Sequence, residues 1–151
     1  MSLTLKQQAD HWMNGSSEAM KVMRDLIPSN RMYALFFGHL AIEKALKALC
    51  LVRQIDFPTF GAKGHDLTYI ANLCGFPLTQ EQAETLNKIK SFNIETRYDD
   101  YKNNFREICT PKYAAEWVGI ITAWHKTLKK LVTEERKTLP NRQPMYTLRY
   151  K

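Results

Sequence analysis

The chain is predicted to be all-α, an antiparallel up-and-down bundle of four to five helices. Apolar residues recur every third or fourth position along most of the chain, cap residues precede the periodic segments, and no β-alternation competes before the last residues. With 151 residues, 44% of them apolar, we expect one domain over residues 1–139, followed by a basic tail over residues 140–151.

Two long helices are expected in the first third of the chain. The first spans roughly Thr4 to Ile27, because its apolar residues step by three and four, and Pro28 ends it. The second runs from about Arg31 to Gln54, with Ser29 or Asn30 as N-cap. The second helix is apolar on both sides, which indicates either a central bundle helix or a surface for self-association.

The remaining helices are marked by their caps. The segment from Asp56 to Gly64, rich in Pro, Gly and aromatic residues, is expected to be a loop, and a short helix follows from near His65 to Gly75. A further helix begins at the capping box of Thr79. The last long helix opens with Thr110 as N-cap and Pro111 in its first turn.

Two polar side chains stand on the inward side of the second helix, His39 and Glu43. An ionised carboxylate in a core is costly unless a cation or several hydrogen bonds meet it. If the helix that begins at Thr79 continues far enough, it carries Asn93 and Arg97 on its own inward face. We therefore expect Arg97 to pair with Glu43, with Asn93 and His39 as neighbours.

The formal charge of +7 comes mostly from the C-terminal end of the chain. Five basic residues stand there without an acidic one: Arg136, Lys137, Arg142, Arg149 and Lys151. A solvated tail explains them, as does an arm that contacts phosphate or a partner. The alternation of Tyr146, Leu148 and Tyr150 would also suit strand addition to another chain.

Several classes of protein are disfavoured. No apolar run is long enough for a membrane span and no signal-peptide pattern precedes the first helix, so a cytoplasmic location is expected. The three cysteines have no metal or disulfide spacing, Glu-x-x-His pairs are missing, and there is no Walker loop or nucleophile elbow. We expect no metal and no cofactor.

Three segments together resemble the HEPN domain in order and spacing. They are Tyr33 to Leu49, which contains the string Ala-x-Glu-Lys-Ala-Leu-Lys-Ala, then Gly64 to Leu67, and then Thr96 to Asp99. The resemblance implies an antiparallel helical bundle, usually a homodimer, that works with nucleotides or RNA. Many members are RNases whose motif is an Arg followed within a few residues by a His, and they commonly act as toxins paired with a small nucleotidyltransferase. Other members are non-catalytic binding modules.

This chain departs from the RNase motif, because Lys102, Asn103 and Asn104 stand where the His after Arg97 would be. A base near neutral pH is then missing from the motif. We therefore expect a non-catalytic bundle that binds nucleotide or RNA, or docks a nucleotidyltransferase. The alternatives are an RNase toxin that uses Arg97 with a displaced base, and a purely structural interaction protein.

The expected ligand contacts surround Arg97. They are Arg97 for an anion, Tyr98 and Tyr101 for a base, Lys102 for phosphate, and Lys44 with Lys47 as a basic patch. His65 and Asp66 are expected to cap the short helix, with ligand contact as the alternative. In the RNase alternative, the base would be His39 or His125, each of which is otherwise an ordinary core histidine.

Overall fold

A computed structural model describes residues 2–144, and all regular structure in that range is helical. The helices are α1 (Leu5–Leu26), α2 (Arg31–Val52), α3 (Gly61–Gly64), α4 (Leu67–Leu73), α5 (Gln80–Arg97), α6 (Asp99–Ile108) and α7 (Pro111–Arg136). The predicted all-α bundle is confirmed.

The first two helices form an antiparallel hairpin. Thr4 caps α1 with a capping box, and the Asn30 side chain accepts from the backbone N–H of Tyr33 at the start of α2. Between the helices, Ser16 Oγ donates to the carbonyl of Ala41 at 2.6 Å. The predicted starts of both helices agree with these caps.

Helix α2 is the centre of the bundle, where 16 of its 22 residues are buried. It packs against α1, α4, α5 and α7. Gly38 allows α1 and α7 to pack closely against α2, since a methyl group at this position would lie 2.6 Å from Ile121 Cδ1 and 2.9 Å from Met23 Sδ. The apolar character of α2 on all sides is therefore explained by neighbours within the same chain, and it does not require a dimer.

Two arginine–carboxylate pairs connect the end of α7 to α1 and α2. Arg53 at the end of α2 makes two hydrogen bonds to Glu135, at 2.8 and 3.0 Å. Arg136 makes two to Asp10 of α1, at 2.7 and 2.8 Å. Both are the paired guanidinium–carboxylate geometry that fixes orientation as well as distance.

Two helices were not predicted. The single turn of α3 lies in the segment expected to be a loop, and α6 follows an extended residue, Tyr98, which ends α5. The short helix α4 begins at Leu67 behind Asp66, whose side chain accepts from the backbone N–H of Tyr69. The predicted capping role of Asp66 is therefore present.

The first part of the predicted tail contacts the bundle. The Leu5 N–H donates to the carbonyl of Arg142 at 2.9 Å, and the Arg142 guanidinium donates to Gln54 at 3.0 Å. Tyr146, Leu148 and Tyr150, the residues of the strand-addition hypothesis, lie outside the described residues. Within residues 2–144, no helix combines the length and the apolar character that crossing a membrane requires.

Candidate functional site

A cleft of about 510 Å³ opens between α3, the start of α4 and the last turns of α5. We call it the His65–Arg97 cleft. Its polar lining consists of Lys63, His65, Asp66, Lys90, Asn93 and Arg97. Its apolar wall includes Ala62, Ile94 and Tyr98. Ile94 and Tyr98 are 40% and 51% exposed, so the wall is open to a ligand.

The helical repeat of α5 supplies one side of the cleft. Lys90, Asn93 and Arg97 stand at i, i+3 and i+7, which places them on one face of the helix. Asp66 faces them from the N-cap of α4, with its Oδ2 3.4 Å from Lys90 Nζ. Five predicted residues are thus brought together in a single cleft: His65, Asp66, Asn93, Arg97 and Tyr98.

The cleft carries an excess of positive charge. Lys63, Lys90 and Arg97 line it, and among the lining residues whose side chains the structure describes Asp66 is the one acid. The Arg97 guanidinium lies 5.5 Å from the Tyr98 ring centroid, and its Nε donates to the carbonyl of Asn93 at 3.3 Å. In the part of the chain that the structure describes, Arg97 forms no ion pair with a carboxylate, so its charge is available to an anion.

Beneath the cleft, Glu43 is held by two basic groups other than Arg97. Its Oε2 lies 3.0 Å from Lys47 Nζ, and its Oε1 lies 2.8 Å from His65 Nδ1. The expected Glu43–Arg97 pair is therefore wrong. Lys47 stands one turn further along α2, and α5 ends at Arg97, in an exposed last turn, so the guanidinium stays at the surface.

His39 lies behind His65 and does not line the cleft. It is completely buried, and its Nε2 donates to the carbonyl of His65 at 3.3 Å. Burial lowers the pKa of His39, although the nearby Glu43 carboxylate opposes this shift. The ring is therefore neutral near pH 7, and the buried Nδ1 has no hydrogen-bond partner. Its contacts support the loop that carries His65.

His125 belongs to a different part of the bundle. Its Nδ1 donates to Ser16 Oγ at 3.1 Å, because that hydroxyl already donates its proton to Ala41. Burial lowers the pKa of His125, and the charges of Lys129 and Arg24 lower it further. His125 lies at the contact of α1 with α7 and is not among the residues that line the cleft.

The remaining predicted ligand residues separate from Arg97. Lys47 is 1% exposed and is committed to Glu43, which corrects its expected place in a basic patch. The Lys44 side chain runs beside Gly15 of α1. Lys102 Nζ donates to the hydroxyl of Tyr33 at 3.1 Å in another pocket, and the exposed Tyr101 does not line the cleft.

Lys63 and Lys90 were not among the predicted site residues. Lys90 could have been found, since it precedes Asn93 by three positions on the same predicted face. Lys63 could not, because its position depends on the single turn of α3 within a segment expected to be a loop. Among residues 2–144, no group of three or more His, Cys, Asp and Glu side chains could hold a metal ion.

The fold and the cleft together define an all-helical domain with an open, cationic site between its shorter helices. The family comparison agrees with that class. The HEPN domain family matches residues 9–131, and the chain belongs to this family. It is therefore a nucleotide- or RNA-related helical domain. No curated protein and no solved structure matches it.

Proposed function

We propose that the protein binds a nucleotide or a short stretch of single-stranded RNA in the His65–Arg97 cleft. The observation that carries this proposal is the convergence of Lys63, Lys90 and Arg97 on one cleft, in which Asp66 is the one acid among the described lining residues. Cations that converge on a concave surface attract phosphate groups, and the guanidinium of Arg97 can bind two phosphate oxygens at once. The family supports the same ligand class.

The aromatic side of the cleft suits a base. Tyr98 is half exposed next to Arg97, and a base can stack on such a ring whatever its identity. Ile94 adds apolar surface to the same cleft. A phosphate at Arg97 with a base against Tyr98 would use both properties of the cleft. Single-stranded RNA presents both groups in every nucleotide.

Ligand-induced stabilisation tests this proposal. The melting temperature should rise when millimolar ribonucleotides or a short single-stranded RNA is added, because a ligand that binds the folded state stabilises it. The rise should be lost in Arg97→Ala and kept in Lys126→Ala, an exposed lysine on α7. The proposal is wrong if no member of the ligand panel moves the transition of the wild-type protein.

A second function, metal-independent RNA cleavage, is favoured by the hydrogen bond between His65 and Glu43. The Nδ1–H group of His65 donates to Glu43, so a neutral His65 has its lone pair on Nε2, and His65 is one of the residues that line the cleft. A carboxylate behind a histidine holds the ring in one orientation and one tautomer. His65 therefore supplies the base that is missing after Arg97.

The reaction would be an internal transesterification, in which the 2′ oxygen of the RNA attacks the neighbouring phosphorus. His65 Nε2 would take the proton of a ribose 2′-hydroxyl while the 2′ oxygen forms a bond to phosphorus and the bond from phosphorus to the 5′ oxygen breaks. The leaving oxygen would take a proton from water, to which His65 then returns its own. Arg97 and Lys90 would stabilise the charge on the phosphoryl oxygens. General base catalysis of this kind contributes roughly 10²- to 10⁴-fold.

Cleavage of a labelled RNA in the presence of EDTA tests this second function. His65→Ala should remove the activity, and Glu43→Gln should reduce it by about tenfold or more. His125→Ala is the matched control, because that histidine lies away from the cleft. Equal cleavage rates for His65→Ala and the wild-type protein would exclude His65 as the base. The binding proposal would still stand.

The family resemblance supports three further proposals: a cytoplasmic homodimer, a small nucleotidyltransferase as partner, and a toxin role within such a pair. Light scattering of the purified protein tests the homodimer, and a monomer at micromolar concentration would count against it. For the second, a gene for a small nucleotidyltransferase beside this one, and co-purification of its product, are the expected results. A structural interaction protein stays the alternative if no nucleotide or RNA binds.

A further inference from the structure

A second pocket, of about 270 Å³, lies at the start of α2 and faces α6. It shares no lining residue with the His65–Arg97 cleft. Three cationic side chains line it, Arg31 from the first turn of α2 and Lys102 with Arg106 from α6. None of its lining residues within the described part of the chain is acidic. Three cations around so small a volume repel one another unless an anion joins them.

Two of the three cations are held in place by the protein. Arg31 Nε donates to the carbonyl of Cys109 at 2.7 Å, which leaves its terminal NH₂ groups for another acceptor. Lys102 Nζ lies 3.1 Å from the hydroxyl of Tyr33 and 5.4 Å from the centroid of its ring. These neutral contacts orient the two charges without cancelling them. The pocket is thus organised before any ligand enters.

Carboxylates do not neutralise this cluster among the side chains that the structure describes. None of Arg31, Lys102 and Arg106 takes part in an ion pair there. Arg106 donates to the neutral Asn103 at 3.2 Å. The first turn of the 22-residue α2 also points the positive end of its dipole at the pocket.

We propose that this pocket is a second phosphate-binding site, formed by Arg31, Lys102 and Arg106. A phosphate group carries several acceptor oxygens in a compact volume, and two guanidinium groups with one ammonium group can meet them from different directions. The site does not depend on the function of the His65–Arg97 cleft. Its source of phosphate is either a terminal phosphate or the backbone of an oligonucleotide.

The geometry of α6 connects the two sites. Tyr98 is the N-cap residue of α6 and lines the cleft, and Lys102 and Arg106, about one and two turns further on, line the second pocket, so the three residues form a row along the helix. Eight residues at 1.5 Å each separate the ends of this row by about 12 Å along the helix. That distance is about three or four stacked nucleotides. An oligonucleotide bound in the cleft would therefore reach the second pocket, an extension that rests on the proposed function.

The experiment follows backbone amide and arginine Nε–H signals by NMR in full-length ¹⁵N-labelled protein. Titration with inorganic pyrophosphate should shift the signals of Arg31, Met32 and Tyr33. Lys102→Gln/Arg106→Gln should weaken this response by about tenfold or more, because two of three charges are removed. The control of equal charge is Lys126→Gln/Lys130→Gln on the exposed side of α7, which should respond like wild-type protein.

The outcomes separate the two proposals. Pyrophosphate shifts at the start of α2 that survive in Arg97→Ala support the second site whether or not the cleft binds nucleotide. No shift there, or an equal loss in the control variant, overturns it even if nucleotides move the signals of the cleft. Single-stranded RNAs with and without a 5′ phosphate then identify the source. Equal shifts indicate the backbone, and shifts with the 5′ phosphate alone indicate the terminal group.

Discussion

His65 Nδ1 lies 2.8 Å from Glu43 Oε1, and this hydrogen bond joins the half-exposed floor of the cleft to the buried side of α2. Glu43 is 5% exposed, and its other oxygen is held by Lys47 at 3.0 Å. The string of residues that marks the family therefore does more than pack the core. It places a carboxylate behind the histidine of the cleft.

Loss of Lys47 should destabilise the protein strongly. Lys47→Met leaves Glu43 buried without its cation, and breaking one side of a buried pair costs about 3 kcal/mol or more. Lys44→Met is the control on the same helix, and because that residue is only half buried its cost should be under about 1 kcal/mol. Urea unfolding measures both. Equal costs would contradict the account of the buried pair.

Replacing both partners should restore much of that loss. Glu43→Leu/Lys47→Met removes both buried charges and substitutes apolar groups of similar size, which is often neutral for stability. The double variant should thus be more stable than the sum of the two single changes predicts, by about 2 kcal/mol. Additive effects in the double-mutant cycle would show that the two side chains are not coupled.

Loss of Arg97 should hardly affect stability. Arg97 is exposed and forms no ion pair with any carboxylate that the structure describes. Arg97→Ala should therefore change the free energy of unfolding by less than about 1 kcal/mol. A double-mutant cycle with Glu43→Gln should show no coupling. A cost of several kcal/mol would indicate a buried guanidinium, contrary to the structure.

The pH dependence of stability should reflect two histidines, the buried His39 and the half-buried His125. Burial lowers the pKa values of His39 and His125 below the ordinary value of 6.5, so the unfolded chain binds more protons than the folded one as the pH falls below that value. The melting temperature should therefore fall progressively from pH 7 toward pH 5.

Substitutions can assign that pH dependence. His125→Asn should make the decline between pH 7 and pH 5 shallower, because it removes one of the two groups that must be protonated on unfolding. His11→Asn is the control, since His11 is exposed on α1. The same slope in all three proteins would mean that His125 carries none of the effect.

The fold could be predicted from the sequence because its signals are local. Caps such as Asn30, Thr79 and Thr110 mark helix starts at which the structure has helices, and the apolar period is clear in α1 and α7. Helix α6 was missed because Tyr98 interrupts an otherwise continuous polar stretch with one extended residue, and nothing in the residue type requires that conformation.

The site was predicted only in part because it depends on distances across the fold. The need of Glu43 for a cation followed from the chemistry of burial, whereas the choice among Arg97, Lys47 and His65 followed from where helices end and how they pack. Arg97 and Lys102 are close in sequence, yet the break at Tyr98 puts them in different pockets. Spacing along the chain does not contain that information.

We propose that the His65–Arg97 cleft binds nucleotide or RNA through its cations. Fluorescence anisotropy with a labelled single-stranded RNA tests it most directly, by comparing wild-type protein with Lys90→Gln/Arg97→Gln and with Lys126→Gln/Lys130→Gln, which has the same net charge. The cleft variant should bind the RNA about tenfold more weakly or worse than wild type, and the control variant should bind nearly like wild type. Equal affinity of the two variants would contradict it.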